Sequence, residues 1–528
     1  VTSARFRRAA GHPAAVALPL LLALSLAART VARDSCTVDE FGNLPLTVVY
    51  WSGGGMHIDR GNPPLTRWIQ GLALLPERPG PGASRAELSS IETSWDLGYR
   101  FERAHRDDYH RLLVRARTGS LLLLLLTVAG VWRWARDVAG PGAGLGAGLL
   151  AAASPNLIAH GRLVTPDIGV ACFTVWAAYA AWRARASGST AATAAAGALA
   201  GAAALAKFSG LLLLPLLALA VRPRRAWIFA AGALLVIYAG YGFAPPGPLR
   251  GVPTPLPAPL AAGLEAQLDE PPYPAYLLGE SREGGWPWYY AVAFLVKVPV
   301  PELLLFALAA LAAWRERRAA LLLPWIIAAA FFAAFGFGTE KNIGVRYLLP
   351  MLPVLHVAAA AVLGSTSARM RGAAFGLVAL AVVSGLLASS APLAAFNGVE
   401  RLLGGKRAVL VDSNLDWGQA LPDLRDWMAR EGVESVRLAY FGRIDPSIYG
   451  ISWRSLPSEP VSGPVAISAT LAAGRPYVVR FKERPFLEPE LAWSDSSTWS
   501  WLRGLEPDEE LGGGAMLVWK DMGAKTKR

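Results

Sequence analysis

Residues 190–221 read TAATAAAGALAGAAALAKFSGLLLLPLLALAV, an Ala/Leu-rich run broken only at Lys207-Phe208-Ser209. A helix needs about 20 apolar residues to cross the hydrocarbon core, and fewer when its ends snorkel. The run therefore holds two short crossings if the chain turns at Lys207, and one long one if it does not. That choice sets the topology, because every basic cluster after it changes side.

Working outward, eleven apolar runs stand out at about 13–29, 118–135, 138–154, 168–183, 189–206, 208–221, 226–243, 289–314, 319–337, 348–364 and 372–391. Arg5/Arg7/Arg8, Arg133/Arg136, Arg183/Arg185, Arg222/Arg224/Arg225, Arg315/Arg317/Arg318 and Arg369/Arg371 fall at alternate ends of these runs. Cytoplasmic loops carry the excess of Lys and Arg. All six clusters face one side only if 189–221 is a hairpin, so the pattern predicts eleven crossings, N-terminus inside and C-terminus outside. The first run follows its arginines as a secretory signal does, but with ten more behind it we read it as an uncleaved first helix.

Composition agrees. The 528 residues are 53% hydrophobic and only 17% charged, against roughly 25% charged in ordinary globular domains. The net charge of +12 is spread through the inter-span clusters, not gathered on one face, which argues against nucleic-acid binding. Cys172 lies within one apolar run and Cys36 just outside another, which argues against a structural disulfide, and neither has a CxxC or Cys/His companion. Gly140–Gly148 lacks the Lys-Ser/Thr ending of a phosphate loop and reads as a helix-packing surface, as does Ala191–Ala206.

The polar segments left over lie outside the membrane: a long first loop (30–117), His160–Asp167, the Lys207 turn, 244–288, Thr339–Tyr347 and the tail from 392. The tail has mixed charge. Ala408–Asp412 reads as a strand, Ala420–Arg430 as an amphipathic helix with Leu421, Leu424, Trp427 and Met428 on one side, and Val436–Phe441 as a second strand. The expected fold is a polytopic α-helical membrane module (1–391) followed by an extracytoplasmic α/β domain (392–528).

Chemistry-bearing residues collect in those outer segments. Asp39-Glu40 follows the first span, and a carboxylate pair there can supply a general base and an orienting group, or simply be solvated. Ser154–Arg162 with Thr165-Pro166-Asp167 brings His160, Arg162 and Asp167 between two spans; Asp167 also suits a helix cap. Lys207, Lys297 and Arg346 are cations at or inside apolar runs, where charge is costly and commonly functional; snorkelling is the plain alternative for Lys207. Carboxylates and cations on one face suit an anionic, membrane-held substrate such as a lipid phosphate.

This order of motifs resembles the GT-C membrane glycosyltransferases, and within them the protein O-mannosyltransferase-like group (glycosyltransferase family 39). The resemblance runs along nearly the whole chain. Its landmarks are Asp39-Glu40, Asn62-Pro63-Pro64-Leu65, Ser154–Arg162 with Thr165–Asp167, Leu205–Ser209, Tyr276–Glu280, Gly285–Tyr290, Lys297–Pro299, Gly344–Pro350, Ala395–Asn397 with Gly404-Gly405, Asp412–Gln419 and Tyr440–Gly442. Asn43 and Gly61-Asn62 stand where the family pattern often has histidine and Glu-His.

The resemblance implies inverting transfer of a sugar from a polyprenyl-phosphate donor to an acceptor hydroxyl at the outer face of a plasma (inner) membrane. It implies Asp39 as base, Arg346 with Lys207 or Lys297 on the donor phosphate, and Glu40 and Asp167 orienting the acceptor. The oxygens of Asp39, Glu40 and Asp167 would also suit Mg²⁺ or Mn²⁺. In Asp412–Gln419, the candidates for sugar or acceptor contact are Asn414, Asp416, Trp417 and Gln419. The structural alternative has Asp416 capping a helix and Trp417 packing. Two other functions compete: a transporter or flippase of lipid-linked sugars, which predicts internal repeats that are not visible here, and a membrane-anchored assembly protein, for which eleven spans are excessive.

Overall fold

The computed structural model describes residues 12–54, 56–316, 321–481 and 490–524. Arg5, Arg7, Arg8, Arg317 and Arg318 lie outside the described residues. Over the described residues each expected run is mostly helical, with short breaks such as those inside 138–154 and 289–314; residues 319 and 320 lie outside the described residues. Three helices are long and apolar enough to cross a membrane: Ala14–Val31, Tyr109–Ala139 and Ala368–Ala388. Two more crossings are available if bent pairs are single spans, Pro141–Ala153 with Pro155–Gly161 (59°) and Tyr289–Lys297 with Val300–Arg315 (113°). Thr190–Ala206, Phe208–Ala220, Leu322–Phe337 and Met351–Leu363 are apolar but shorter. By length and composition the described helices thus give three to five spans of an integral membrane protein.

The two bends are written in proline. Pro155 opens the helix Pro155–Gly161, and Pro299 and Pro301 interrupt the ladder after Lys297, because proline has no N–H and crowds the preceding turn. Asn156 Nδ2 donates to the Lys297 carbonyl at 2.9 Å, joining one break to the other. The chain does turn at Lys207, whose backbone is extended (φ −159°, ψ 147°). Gly210 then lies against the end of the helix just left: a Cβ there would sit 2.1 Å from the Ala203 carbonyl oxygen.

Small residues pack this region, as read from the sequence. A Cβ on Gly197 would stand 2.0 Å from the Phe229 carbonyl oxygen, and one on Gly201 2.5 Å from that of Ala233. The helices Thr190–Ala206 and Ala226–Gly240 therefore meet backbone to backbone. Gly146 and Gly148 likewise face Leu363 and Pro19. Cys36 and Cys172 are both free and buried.

Beyond the bundle lies a layer built from two distant parts of the chain. Phe41, Leu44, Phe101 and Tyr109 from the first loop share one apolar core with Leu421, Leu424, Trp427, Leu438 and Val518 from the tail. The tail carries a five-stranded mixed sheet of β1 (Val436–Ala439), β2 (Trp453–Ser455), β3 (Val465–Ser468), β4 (Glu509–Leu511) and β5 (Met516–Trp519). Its order is β4-β5-β3-β1-β2, with β1 parallel to β2 and β3, and β5 antiparallel to β3 and β4. The amphipathic helix is present as Leu421–Glu431, with Leu421, Leu424, Trp427 and Met428 buried as expected.

One local expectation fails. Ala408–Asp412 is not a strand: Lys406–Val409 is a helical turn and Asp412–Asn414 a 3-10 turn. Gly404 and Gly405 enter this stretch with φ of 93° and 96°, and Asp412 leaves it at φ 59°, so only Leu410 and Val411 run extended, and among the described residues they pair with no strand. The Val409 carbonyl instead accepts from Leu278 N–H at 3.1 Å.

Candidate functional site

Asp39 and Glu40 occupy the first turn of the helix Val38–Trp51. Successive helical residues point about 100° apart, so the pair is split between two environments. Glu40 turns inward, where its side chain and that of Arg117 are wholly buried in an ion pair of 2.6 Å. Glu40 also accepts from Val164 N–H at 2.9 Å, and from Thr37 N–H at 3.1 Å and the Thr37 hydroxyl at 3.0 Å. Burial opposes its ionisation, but Arg117 and these donors outweigh burial and hold the carboxyl below the usual range. Arg117 further donates to the carbonyls of Val31, Asp34 and Ser35 at 2.7, 2.8 and 2.9 Å. Arg162 belongs to the same lattice, paired with Asp34 at 2.6 Å.

Asp39 turns the other way. Its Oδ2 accepts from Arg346 Nη1 at 2.7 Å, and the same nitrogen lies 3.6 Å from Asp167 Oδ2. Asp167 Oδ1 in turn accepts from Lys207 Nζ at 2.6 Å. Two carboxylates and two cations thus alternate: Asp39, Arg346, Asp167, Lys207. Aromatic rings back them. The Arg346 guanidinium lies 4.4 Å from the Trp417 ring centre and 5.4 Å from that of Tyr347, and Lys207 Nζ is 4.3 Å from Tyr347. His160 stands edge-on to Trp417, with centroids 6.1 Å apart. Asp39 keeps 29% of its side-chain surface while Arg346 keeps 7%. Burial pushes the Asp39 carboxyl up from its ordinary range, against the pull of Arg346.

Arg346 reaches this place because Gly344 allows it. Gly344 has φ 143°, and a Cβ there would be 2.0 Å from Ser413 Oγ. Val345 N–H donates to Asn414 Oδ1 at 2.9 Å, while Asn414 Nδ2 donates to the Tyr289 hydroxyl at 3.0 Å. Lys297 is held behind this clamp. Its Nζ donates to the carbonyls of Leu393, at 2.7 Å, and of Asn414.

The Asp412–Gln419 segment also fixes the start of the Asp39 helix. Val38 N–H donates to the Trp417 carbonyl at 2.9 Å, Ser35 N–H to that of Gln419 at 3.1 Å, and Ser35 Oγ to that of Gly418 at 2.7 Å. Gln419 closes its own turn, accepting from Trp417 N–H at 2.7 Å and donating to the Leu415 carbonyl at 2.9 Å. Asp416 does not cap the helix that follows. It accepts from the N–H groups of Gly418, at 3.2 Å, and Thr470, at 3.1 Å, and the helix Leu421–Glu431 has Ala420 at its N-cap position. Burial pushes the Asp416 carboxyl up to about 7.

The structure therefore gathers Asp39, Asp167, Lys207 and Arg346, with His160 and Trp417 against them. It does not bring Glu40, Arg162, Lys297, Asn414, Asp416 or Gln419 into that group. Tyr347, Arg117 and Asp34 were not singled out by sequence. Tyr347 lies within the stretch Gly344–Pro350, and Arg117 is a charge at the start of an apolar run. The metal expectation fits poorly: Glu40 is committed to Arg117, and among the described residues no three His, Cys, Asp or Glu side chains converge on an ion site.

The alternating carboxylates and cations stand at the edge of a helical bundle, with Asp39 the most open of the four to water. Residues 111–244, which include His160, Arg162, Asp167 and Lys207, match the family of dolichyl-phosphate-mannose-protein mannosyltransferases. The match spans less than half of the chain. No curated protein matches.

Among solved structures, ArnT from Cupriavidus metallidurans bound to undecaprenyl phosphate is similar at 14% identity and a TM-score of 0.49, over 88% of this chain and 96% of that one. Its apo form gives 19% and 0.46, over 72% of this chain and 65% of that one, just under two thirds of its length. The apo oligosaccharyltransferase of Archaeoglobus fulgidus gives 12% and 0.48, over 93% and 77%. With identities and TM-scores this low, the assignment of chemistry rests on the residues themselves.

Proposed function

We propose that the protein is an inverting glycosyltransferase that moves a sugar from a polyprenyl-phosphate carrier to an acceptor hydroxyl. The observation that carries this reading is Arg346 bridging Asp39 and Asp167, with Lys207 on the far carboxylate. Asp39 takes the acceptor proton, and the freed oxygen attacks the anomeric carbon from the face opposite the leaving group. The bond from that carbon to the carrier's phosphate oxygen breaks, and its electron pair leaves with the phosphate. That leaving group is already a weak base, so charge stabilisation matters more than an acid. Arg346 and Lys207 supply it by exchanging their carboxylate partners for phosphate oxygens. Among the described residues Arg346 Nε is buried without a hydrogen-bond partner and is a donor ready for that exchange. His160 and Trp417, both buried, back the Arg346 guanidinium and hold it in position for that exchange.

In this reading the chain crosses the membrane eleven times, with the N-terminus cytoplasmic and residues 392–528 forming an extracytoplasmic domain of a plasma (inner) membrane protein. The turn at Lys207 supports the odd count. The acceptor is a hydroxyl of a protein, lipid or envelope glycan. No step needs a metal ion.

The test is proteoliposomes loaded with a polyprenyl phosphate carrying a radiolabelled sugar. Label appearing covalently in an added acceptor fraction supports transfer. Label crossing the bilayer while still attached to its carrier would instead indicate a flippase.

A further inference from the structure

A cavity of about 550 Å³ is lined by Lys297, Asn397, Arg401, Lys406 and Leu387, and by none of Asp39, Asp167, Lys207 or Arg346. Asn414 separates the two places: its carbonyl accepts from Lys297, and its side chain holds Val345 beside Arg346. Three cations, Lys297, Arg401 and Lys406, face one carboxylate, Glu400. That carboxylate is occupied, accepting from Gly398 N–H at 2.7 Å.

The cavity wall is a built structure. Asn397 satisfies carbonyls freed by the 113° bend, its side chain donating to Val298 at 2.8 Å and its N–H to Val296 at 3.0 Å. Gly398, Gly404 and Gly405, all at positive φ (97°, 93° and 96°), turn the short loop that carries Arg401 and leads into Lys406. Lys406 Nζ is fixed by the Gly513 carbonyl at 2.8 Å. These residues include Asn397 and the Gly404-Gly405 pair, conspicuous in the sequence yet without a part in the reaction.

The surroundings identify the ligand class. Leu387 belongs to the membrane-crossing helix Ala368–Ala388 and is 79% exposed, and Leu402, beside Arg401, is 86% exposed. A cationic cavity with an apolar rim at the end of a membrane helix matches an anionic headgroup with its acyl chains still in the bilayer. We propose that this cavity binds the phosphodiester headgroup of a bulk anionic phospholipid, through Arg401 and Lys406, with Leu387 and Leu402 beside the chains. A carrier phosphate has to reach Arg346, from which Asn414 walls this cavity off. The site is independent of the glycosyl-transfer reading and stands or falls by itself.

Native mass spectrometry of the full chain, released from detergent with phosphatidylglycerol, phosphatidylcholine or a polyprenyl phosphate, tests it. Retention of phosphatidylglycerol over phosphatidylcholine is expected, falling about tenfold or more in R401Q/K406Q, which removes two basic side chains at the bilayer surface. It should persist in R401K/K406R. If the double variant unfolds, Arg401→Gln alone, on an exposed side chain, makes the same test. Equal retention of the two phospholipids, or unchanged phosphatidylglycerol in the Gln variants, overturns the site. Stoichiometric displacement of phosphatidylglycerol by the polyprenyl phosphate overturns the assignment to bulk lipid.

Discussion

Asp39 and Glu40 are neighbours in sequence with opposite fates. The difference is one of partners: Glu40 meets Arg117 and three further donors in a water-free interior, whereas Asp39 meets Arg346 at a surface still open to water. Breaking a buried ion pair leaves an uncompensated charge, at a cost of about 3–5 kcal/mol. Glu40→Gln should therefore lower the thermal midpoint of the purified protein markedly, measured by tryptophan fluorescence in detergent. An unshifted midpoint would show that the pair does not hold the first loop in place. Asp39, Asp167, Lys207 and Arg346 were legible in the sequence because charges at the edges of apolar runs are conspicuous. The commitment of Glu40 was not, because Arg117 is distant in sequence and looks like any cation at a helix end.

At the scale of elements, Asp412–Gln419 is the joint between tail and bundle. It fixes the entry to the Asp39 helix through Trp417 and Gln419, and the approach to Arg346 through Asn414. The Val-Leu-Val alternation before it looks like a strand, and nothing in that pattern shows that the flanking glycines and Asp412 bend the chain. The helix that follows was readable because its apolar spacing is decided locally. Asp416 makes the joint sensitive to pH. Its carboxyl titrates near 7 when folded, above the roughly 3.9 of an unfolded aspartate. Between those values the unfolded chain has released a proton that the folded one keeps, so stability falls as pH rises from about 4 to 7 and levels off above. Unfolding midpoints at pH 5 and pH 8 should show the lower value at pH 8, with Asp416→Asn flattening the difference. A midpoint that rises across this interval would contradict a protonated Asp416.

At the scale of the molecule, the positions of all the apolar runs were legible, since hydropathy alone sets them. The shared core of first loop and tail was not, because its halves lie at opposite ends of the chain. An odd number of crossings puts the tail and the Arg185 turn on opposite sides. Both native cysteines are buried, so introduced thiols can report sidedness. In intact cells an impermeant maleimide should label Glu434→Cys in the tail and spare Arg185→Cys. Labelling of both or neither would break the eleven-span account.

Everything in the proposed chemistry passes through Asp39. The direct test is transfer of labelled sugar from a polyprenyl phosphate by wild-type and Asp39→Asn proteins, with insertion, unfolding midpoint and carrier binding measured alongside. With those properties retained, transfer should fall by at least about a hundredfold, the range of a lost general base. Transfer at the wild-type rate in a folded, carrier-binding Asp39→Asn protein would contradict the account.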